Sequence, residues 1–119
     1  MEGKELALFA AAIAEDKKAQ NIMILDLHGI SVVTDYFLLA SGNSLTQVKA
    51  VAEEIEAKLE ETGLRPINQR KVKESGWLLL DYGDVVIHIM RNEERNFYQL
   101  EKLWGDGEII FQSNLSVDI

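Results

Sequence analysis

The stretch Asp35-Tyr36-Phe37-Leu38-Leu39-Ala40 constrains this chain most, because it is almost continuously apolar and stops at Ser41-Gly42-Asn43-Ser44. A strand of that character reads as covered on both faces, so further layers must pack above and below it. The segment after the turn supplies one. Ser44 and Gln47 form a capping box, in which the hydroxyl takes an orphan amide and the Gln side chain reaches back. Val48, Val51, Ala52, Ile55 and Leu59 then repeat at helical spacing, with Glu53, Glu54, Glu56, Glu60 and Glu61 mostly on the other side. Gly63 ends this helix in the manner of a C′ glycine.

The flanking segments fit the same plan. Residues 4–19 read as a helix with Leu6, Phe9, Ala10 and Ile13 in one stripe. Residues 22–27 are a short apolar strand, with His28-Gly29 as a turn. Leu64 to Asn68 reads as a strand whose Pro66 favours a sheet edge, and Gln69 to Ser75 as a polar, basic loop. Trp77-Leu78-Leu79-Leu80 and Val85-Val86-Ile87-His88-Ile89 flank Asp81-Tyr82-Gly83-Asp84, which reads as a hairpin with Gly83 supplying a positive φ. Asn92 suits a helix N-cap, Phe97, Leu100 and Trp104 share a face, and Gly105 closes the helix. From Glu108 onward little pattern remains. The expectation is an α/β fold: a mixed sheet of about five strands flanked by helices, in one domain over residues 1–107 with a tail at 108–119.

Charge and cysteine usage exclude several function classes. Twenty acidic side chains against twelve basic ones leave a formal charge of −8, unsuited to a nucleic-acid binder and suited to a basic protein partner or to solubility. The absence of Cys removes disulfides, thiolate metal sites and a cysteine nucleophile. The N-terminal residues show no secretory pattern and no apolar run reaches the length of a membrane span. A cytoplasmic protein with no membrane contact is expected.

Few side chains suggest catalysis. Asp81 and Asp84 flank a turn, where Asp serves turn chemistry more often than metal binding. The Ser41–Ser44 turn loosely resembles the Gly-Ser turn of nucleotidyltransferases, but Leu64 to Asn68 offers no acid to hold Mg²⁺. His88, in line with Val86 and Met90, reads as a hydrogen-bonded structural residue. No catalytic residue, metal or cofactor is expected. Trp77 and Tyr82 are harder to bury than Phe97 and Trp104, and aromatic side chains of that kind anchor protein interfaces.

Longer motifs carry a resemblance. The segments 34–44 and 47–52, Trp77 to His88, and Arg95 to Glu101 with Leu103-Trp104-Gly105-Asp106 resemble the three signatures of the Iojap-like ribosomal silencing factors. The similarity runs roughly from Leu6 to Asp106. Where that family often has Glu-Gly four residues after its Pro, this chain has Arg70-Lys71. The resemblance implies a nucleotidyltransferase-like topology without catalysis. It also implies a translational repressor that docks on the large ribosomal subunit through that subunit's ribosomal protein number fourteen, blocks joining of the small subunit, and is a homodimer when free. Trp77, Leu79, Asp81, Tyr82 and Asp84 are then the candidate contact residues, with Trp77, Leu79 and Asp81 on one strand face by alternation. Arg95 and Tyr98 follow as weaker candidates. Arg70, Lys71 and Lys73 read as a solvated loop first and as a minor ribosomal RNA contact second. A nucleotidyltransferase-like enzyme and a large-subunit assembly factor are the alternative readings.

Overall fold

Two strands at the centre of the sheet set the architecture of the computed structural model, which describes residues 1–71 and 76–113 and, at 69–71, the backbone alone. Strand β2 (Tyr36–Gly42) runs parallel to β5 (Val85–Arg91), pairing Tyr36 with Val85 through to Gly42 with Arg91. Both are buried along nearly their whole length, as the apolar run at 35–40 requires. On one side β1 (Gln20–Asp26) pairs antiparallel with β2 and β6 (Glu108–Ser113) with β1. On the other side β4 (Trp77–Asp81) pairs antiparallel with β5, and β3 (Asn68–Lys71) with β4. The sheet therefore has the order β3-β4-β5-β2-β1-β6.

The expected mixed α/β sheet is present, with a sixth strand. Glu108–Ser113, a segment with little pattern in the sequence, pairs with β1 at the edge; its burial is only partial, which is why no alternation marks it. The strand expected at 64–68 lies later, at Asn68–Lys71, and Pro66 precedes it, so the edge strand keeps its backbone donors. The basic loop expected at 69–75 is thus strand up to Lys71. Residues 72–75, Lys73 among them, and the side chains of Arg70 and Lys71 lie outside the described residues.

Helices α1 (Gly3–Asp16) and α2 (Leu45–Glu61) cover one sheet face. Helix α1 presents Leu6, Ala7, Ala10, Ala11 and Ala14, small side chains that let its axis approach the strands closely, whereas Phe9 is 36% exposed at the margin of the stripe. The helix stops short of residue 19 because Lys18 turns left-handed (φ 66°). The Ala19 amide then donates to the Ala14 carbonyl at 2.9 Å and the Lys18 amide to the Glu15 carbonyl at 2.9 Å, a Schellman closure without glycine. Gly63 (φ 91°) closes α2 in the same way, with Leu64 donating to the Leu59 carbonyl at 3.0 Å.

The Ser44 hydroxyl accepts from the Gln47 amide at 3.2 Å as expected, but Gln47 Oε1 takes the amide of Asn43, not that of Ser44, at 2.7 Å. Gln47 Nε2 also donates to the Lys18 carbonyl at 3.0 Å and so ties the starts of α2 and β1 together. Asn92 is not an N-cap. It is the first residue of α3 (Asn92–Tyr98), and its side-chain amide donates to Gln20 Oε1 (2.9 Å) and Asn43 Oδ1 (2.8 Å). Gln99, left-handed at φ 48°, separates α3 from the short α4 (Leu100–Leu103). That break resets the helical register, so Phe97 is 79% exposed instead of sharing a buried face with Leu100 and Trp104.

Ile87, fully buried between α1 and α2, should lose about 2–5 kcal/mol of stability on change to Ala. Ser44→Ala should cost about 1 kcal/mol, and Val32→Ala, at a fully exposed position, less than about 0.5 kcal/mol. Urea unfolding of the three variants checks that ranking.

Candidate functional site

Among the described residues, the sheet's second face is only partly covered. Met23, Leu25, Leu27, Phe37, Leu39 and Met90 point to this side, and the α3–α4 segment shields part of them through Leu100 and Trp104. Between that cover and the β1–β2 loop the face stays open, forming a cavity of about 370 Å³. Phe37, Leu79, Val86, His88 and Trp104 line it, and Ser31, Val33, Thr34, Asn68 and Asp81 surround them. The sheet register explains the grouping. Asp81 and Phe37 both neighbour Val86, and Leu79 and Leu39 both neighbour His88, so side chains from three strands stand in adjacent rows. Val33 is 78% exposed at the rim and Val32 beside it fully exposed, an apolar tip next to an apolar cavity.

Beneath the covered part, polar groups are held tightly. The Trp77 indole donates to His88 Nδ1 at 3.1 Å, which puts the imidazole proton on Nε2. Phe37 meets the His88 ring edge-on at 4.6 Å, and Tyr98 lies over Trp77 at 4.9 Å. Nε2 is buried without a partner. Burial, with the Arg95 guanidinium adding to it, pushes the His88 pKa down to about 4, so the ring is neutral near pH 7. Arg95 donates to the buried Ser41 hydroxyl at 2.8 Å and pairs with Glu101 at 3.2 Å. Glu94 bridges the Arg91 guanidinium (2.7 Å) and the Gly76 amide (3.2 Å), and those bonds hold its carboxyl well below the usual range.

The structure divides the expected contact residues. Leu79 and Asp81 line the cavity, and Trp77 lies on the same face, half-buried in the apolar cluster around Leu39 and Met90. Tyr98 is 44% exposed at that cluster's border. Asp84 is exposed in the hairpin turn. Asp81 serves both readings, for its carboxylate accepts the Gly83 amide at 2.8 Å within the turn, where Gly83 has φ 88°. Tyr82, by contrast, follows Leu78 and Leu80 to the helix-covered face and packs against the main core. Its hydroxyl is buried without a partner, and desolvation, with Glu56 and Glu60 adding to it, lifts its pKa to about 12. Tyr82 is therefore a packing residue more than an exposed anchor, since strand alternation carries it to the opposite face from Leu79. Arg95 is 5% exposed and engaged internally, so it is not a surface contact.

Val33, Phe37, Val86 and Trp104 supply further apolar lining and were not among the expected contacts. Alternation from His88 places Val86 on this face, but the parallel pairing that brings Phe37 beside it has no local sequence signal. Among the described residues, no group of three or more His, Asp or Glu is placed to hold a metal ion, and no helix is long and apolar enough to cross a membrane.

Comparison with known proteins places this geometry. The family described as "Ribosomal silencing factor during starvation" matches residues 1–118. A ribosomal silencing factor of Bacillus subtilis (strain 168) is 45% identical over 109 residues, 92% of this chain and 92% of that protein. One from Halalkalibacterium halodurans is 39% identical over 110 residues, 92% and 94% of the two chains. A crystal structure of a Chromobacterium violaceum protein superposes with a TM-score of 0.82 at 34% identity, covering 100% of this chain and 94% of that one.

Neutral, buried His88 has a pH signature. Its folded pKa lies below the ordinary imidazole value, so its contribution is present above about pH 6.5 and is lost as pH falls toward about 4. Unfolding free energy should be about 2 kcal/mol lower at pH 5 than at pH 7.5. His88→Asn, which keeps an acceptor for Trp77 but does not titrate, should flatten that slope in denaturant titrations at the two pH values; an unchanged slope would show that His88 is not its source.

Proposed function

The chain belongs to the family of ribosomal silencing factors, and from that premise we propose that it binds the large ribosomal subunit and blocks joining of the small subunit by occupying the joining face. A silencing factor of this kind is a ribosome-binding protein and not an enzyme, so a docking surface and a body are what the fold must supply.

The observation that carries the placement is the half-open sheet face: an apolar cavity on paired strands, with the Asp81 carboxylate at its edge, in a chain of formal charge −8. Ribosomal proteins are mostly basic. An acidic surface steers such a partner, and apolar contact with Leu79, Phe37 and Trp104 holds it. The partner proposed is ribosomal protein number fourteen of the large subunit. Leu79 and Asp81 form the centre of the contact, Trp77 and Tyr98 one border, and Asp84 the hairpin tip. Tyr82 and Arg95 support the hairpin and the α3–α4 cover from behind. A minor ribosomal RNA contact would fall to the basic segment of Arg70, Lys71 and Lys73. The free protein is a homodimer in the cytoplasm, and the exposed apolar side chains Phe97 and Leu103 favour that self-association.

Leu79→Ala should weaken binding to isolated large subunits by about 2 kcal/mol, roughly 30-fold in Kd. Asp81→Asn, which keeps an acceptor for the Gly83 amide while removing the charge, should slow association and make it less salt-sensitive. Glu15→Ala, on the exposed side of α1, serves as control. Binding curves of both variants that coincide with the control would place the docking surface elsewhere.

A further inference from the structure

The β1–β2 loop that rims the cavity is braced at its base by one exposed side chain, His28. Its Nδ1 lies 2.6 Å from Asp26 Oδ1 and its Nε2 3.4 Å from Asp35 Oδ2. Asp26 closes β1, and Asp35 immediately precedes β2, so the imidazole spans the two ends of the loop. The Leu27 amide donates to the Asp35 carbonyl at 2.7 Å just beside it, and the Ile30 and Ser31 amides both donate to the Leu27 carbonyl at 3.0 Å. Beyond this base the loop carries Val32 and Val33, and the Ser31 hydroxyl accepts from the Val33 amide at 3.1 Å.

A neutral imidazole has one N–H. With the proton on Nδ1, facing Asp26, the lone pair of Nε2 faces the Asp35 carboxylate and the two acceptors repel. Only the imidazolium donates to both carboxylates at once. We propose that His28 is a positioning residue that, when protonated, clamps Asp26 to Asp35, holds the Val32–Val33 tip at the rim of the cavity, and makes binding to the large subunit tighter at lower pH; this rests on the docking surface proposed above, whose rim that tip extends.

The surroundings favour that charge state. The hydrogen bond to Asp26 raises the His28 pKa above its ordinary value, with the Asp35 charge acting in the same sense. Lys4 of α1 acts on Asp26, and Glu2 ahead of α1 acts on Tyr36, whose ring meets the His28 ring edge-on at 5.2 Å. The Asp84 carbonyl accepts from the Asp35 and Tyr36 amides, which brings the hairpin turn and its carboxylate to the same corner. The chain has two histidines: His88 is buried, with its pKa pushed down to about 4, whereas His28 is exposed between two carboxylates that favour its charged form.

The test has two arms, each comparing the intact chain with His28→Gln at pH 6 and pH 8. In the first, Kd for isolated large subunits is measured. The wild type should bind about two- to fivefold tighter at pH 6, the range an exposed ion pair supports, beyond any change shown by His28→Gln, whose side chain does not titrate. An equal pH ratio for the two proteins overturns the proposal. In the second, hydrogen-exchange protection of the Leu27 and Ser31 amides is measured without any partner. Protection should be greater at pH 6 in the wild type alone, and equal protection at both pH values overturns the proposal. If neither protein binds large subunits at either pH, the docking reading fails, and the second arm still decides the clamp.

Discussion

The parallel pairing of β2 with β5 is the constraint from which the rest of the structure follows. Both strands are buried on both sides, and a parallel pair of that kind cannot leave a face to water without losing apolar burial worth roughly 25 cal/mol per Å². Helices α1 and α2 meet that demand fully on one side, through small residues that permit close approach. On the other side, among the described residues, the cover comes from the broken α3–α4 segment. Incomplete cover leaves Phe37, Leu79 and Val86 at an open cavity. The candidate docking surface is thus a part of the sheet face that the described residues leave incompletely covered.

Such a surface needs rigid support, because strands that shift on binding reduce affinity through their ordering cost. The polar groups beneath the α3–α4 cover supply that support. Arg95 ties α3 to Ser41 at the end of β2 and to Glu101 in α4, while Glu94 links Arg91 to Gly76 at the start of β4. Trp77 and His88 join the neighbouring strands β4 and β5 on the same face. Arg95, which looks like a contact in the sequence, therefore supports the candidate docking surface from within. The β1–β2 loop reaches the cavity rim from outside the sheet core, and His28 lies between Asp26 and Asp35 at its base.

How much of this was legible in the sequence depended on whether a feature was local. The strand at 35–40, the Ser44 cap, the amphipathic α2 with its Gly63 closure and the hairpin around Gly83 were all readable, because each rests on spacing within a few residues. Alternation correctly put Trp77, Leu79 and Asp81 on one face. Continued by one residue into the turn, the same alternation takes Tyr82 to the other face, a step that its turn position obscured. Long-range features were not readable: the β2–β5 register that brings Phe37 to Val86, the addition of Glu108–Ser113 to β1, and the burial of Arg95 against Ser41, 54 residues away. The break at Gln99 was hidden because a left-handed Gln has no composition signal comparable to glycine. The ribosome itself came from the long motifs at 34–52, 77–88 and 95–106, which periodicity alone does not interpret.

Occlusion of the subunit-joining face is the central claim, and reassociation of purified subunits tests it most directly. Large subunits preincubated with this protein are mixed with small subunits under associating Mg²⁺ concentrations and resolved by sedimentation. The account predicts that assembled ribosomes decline in proportion to added protein, with the protein travelling in the large-subunit peak and absent from the assembled one. Unimpaired reassociation with the protein bound to intact ribosomes would contradict it.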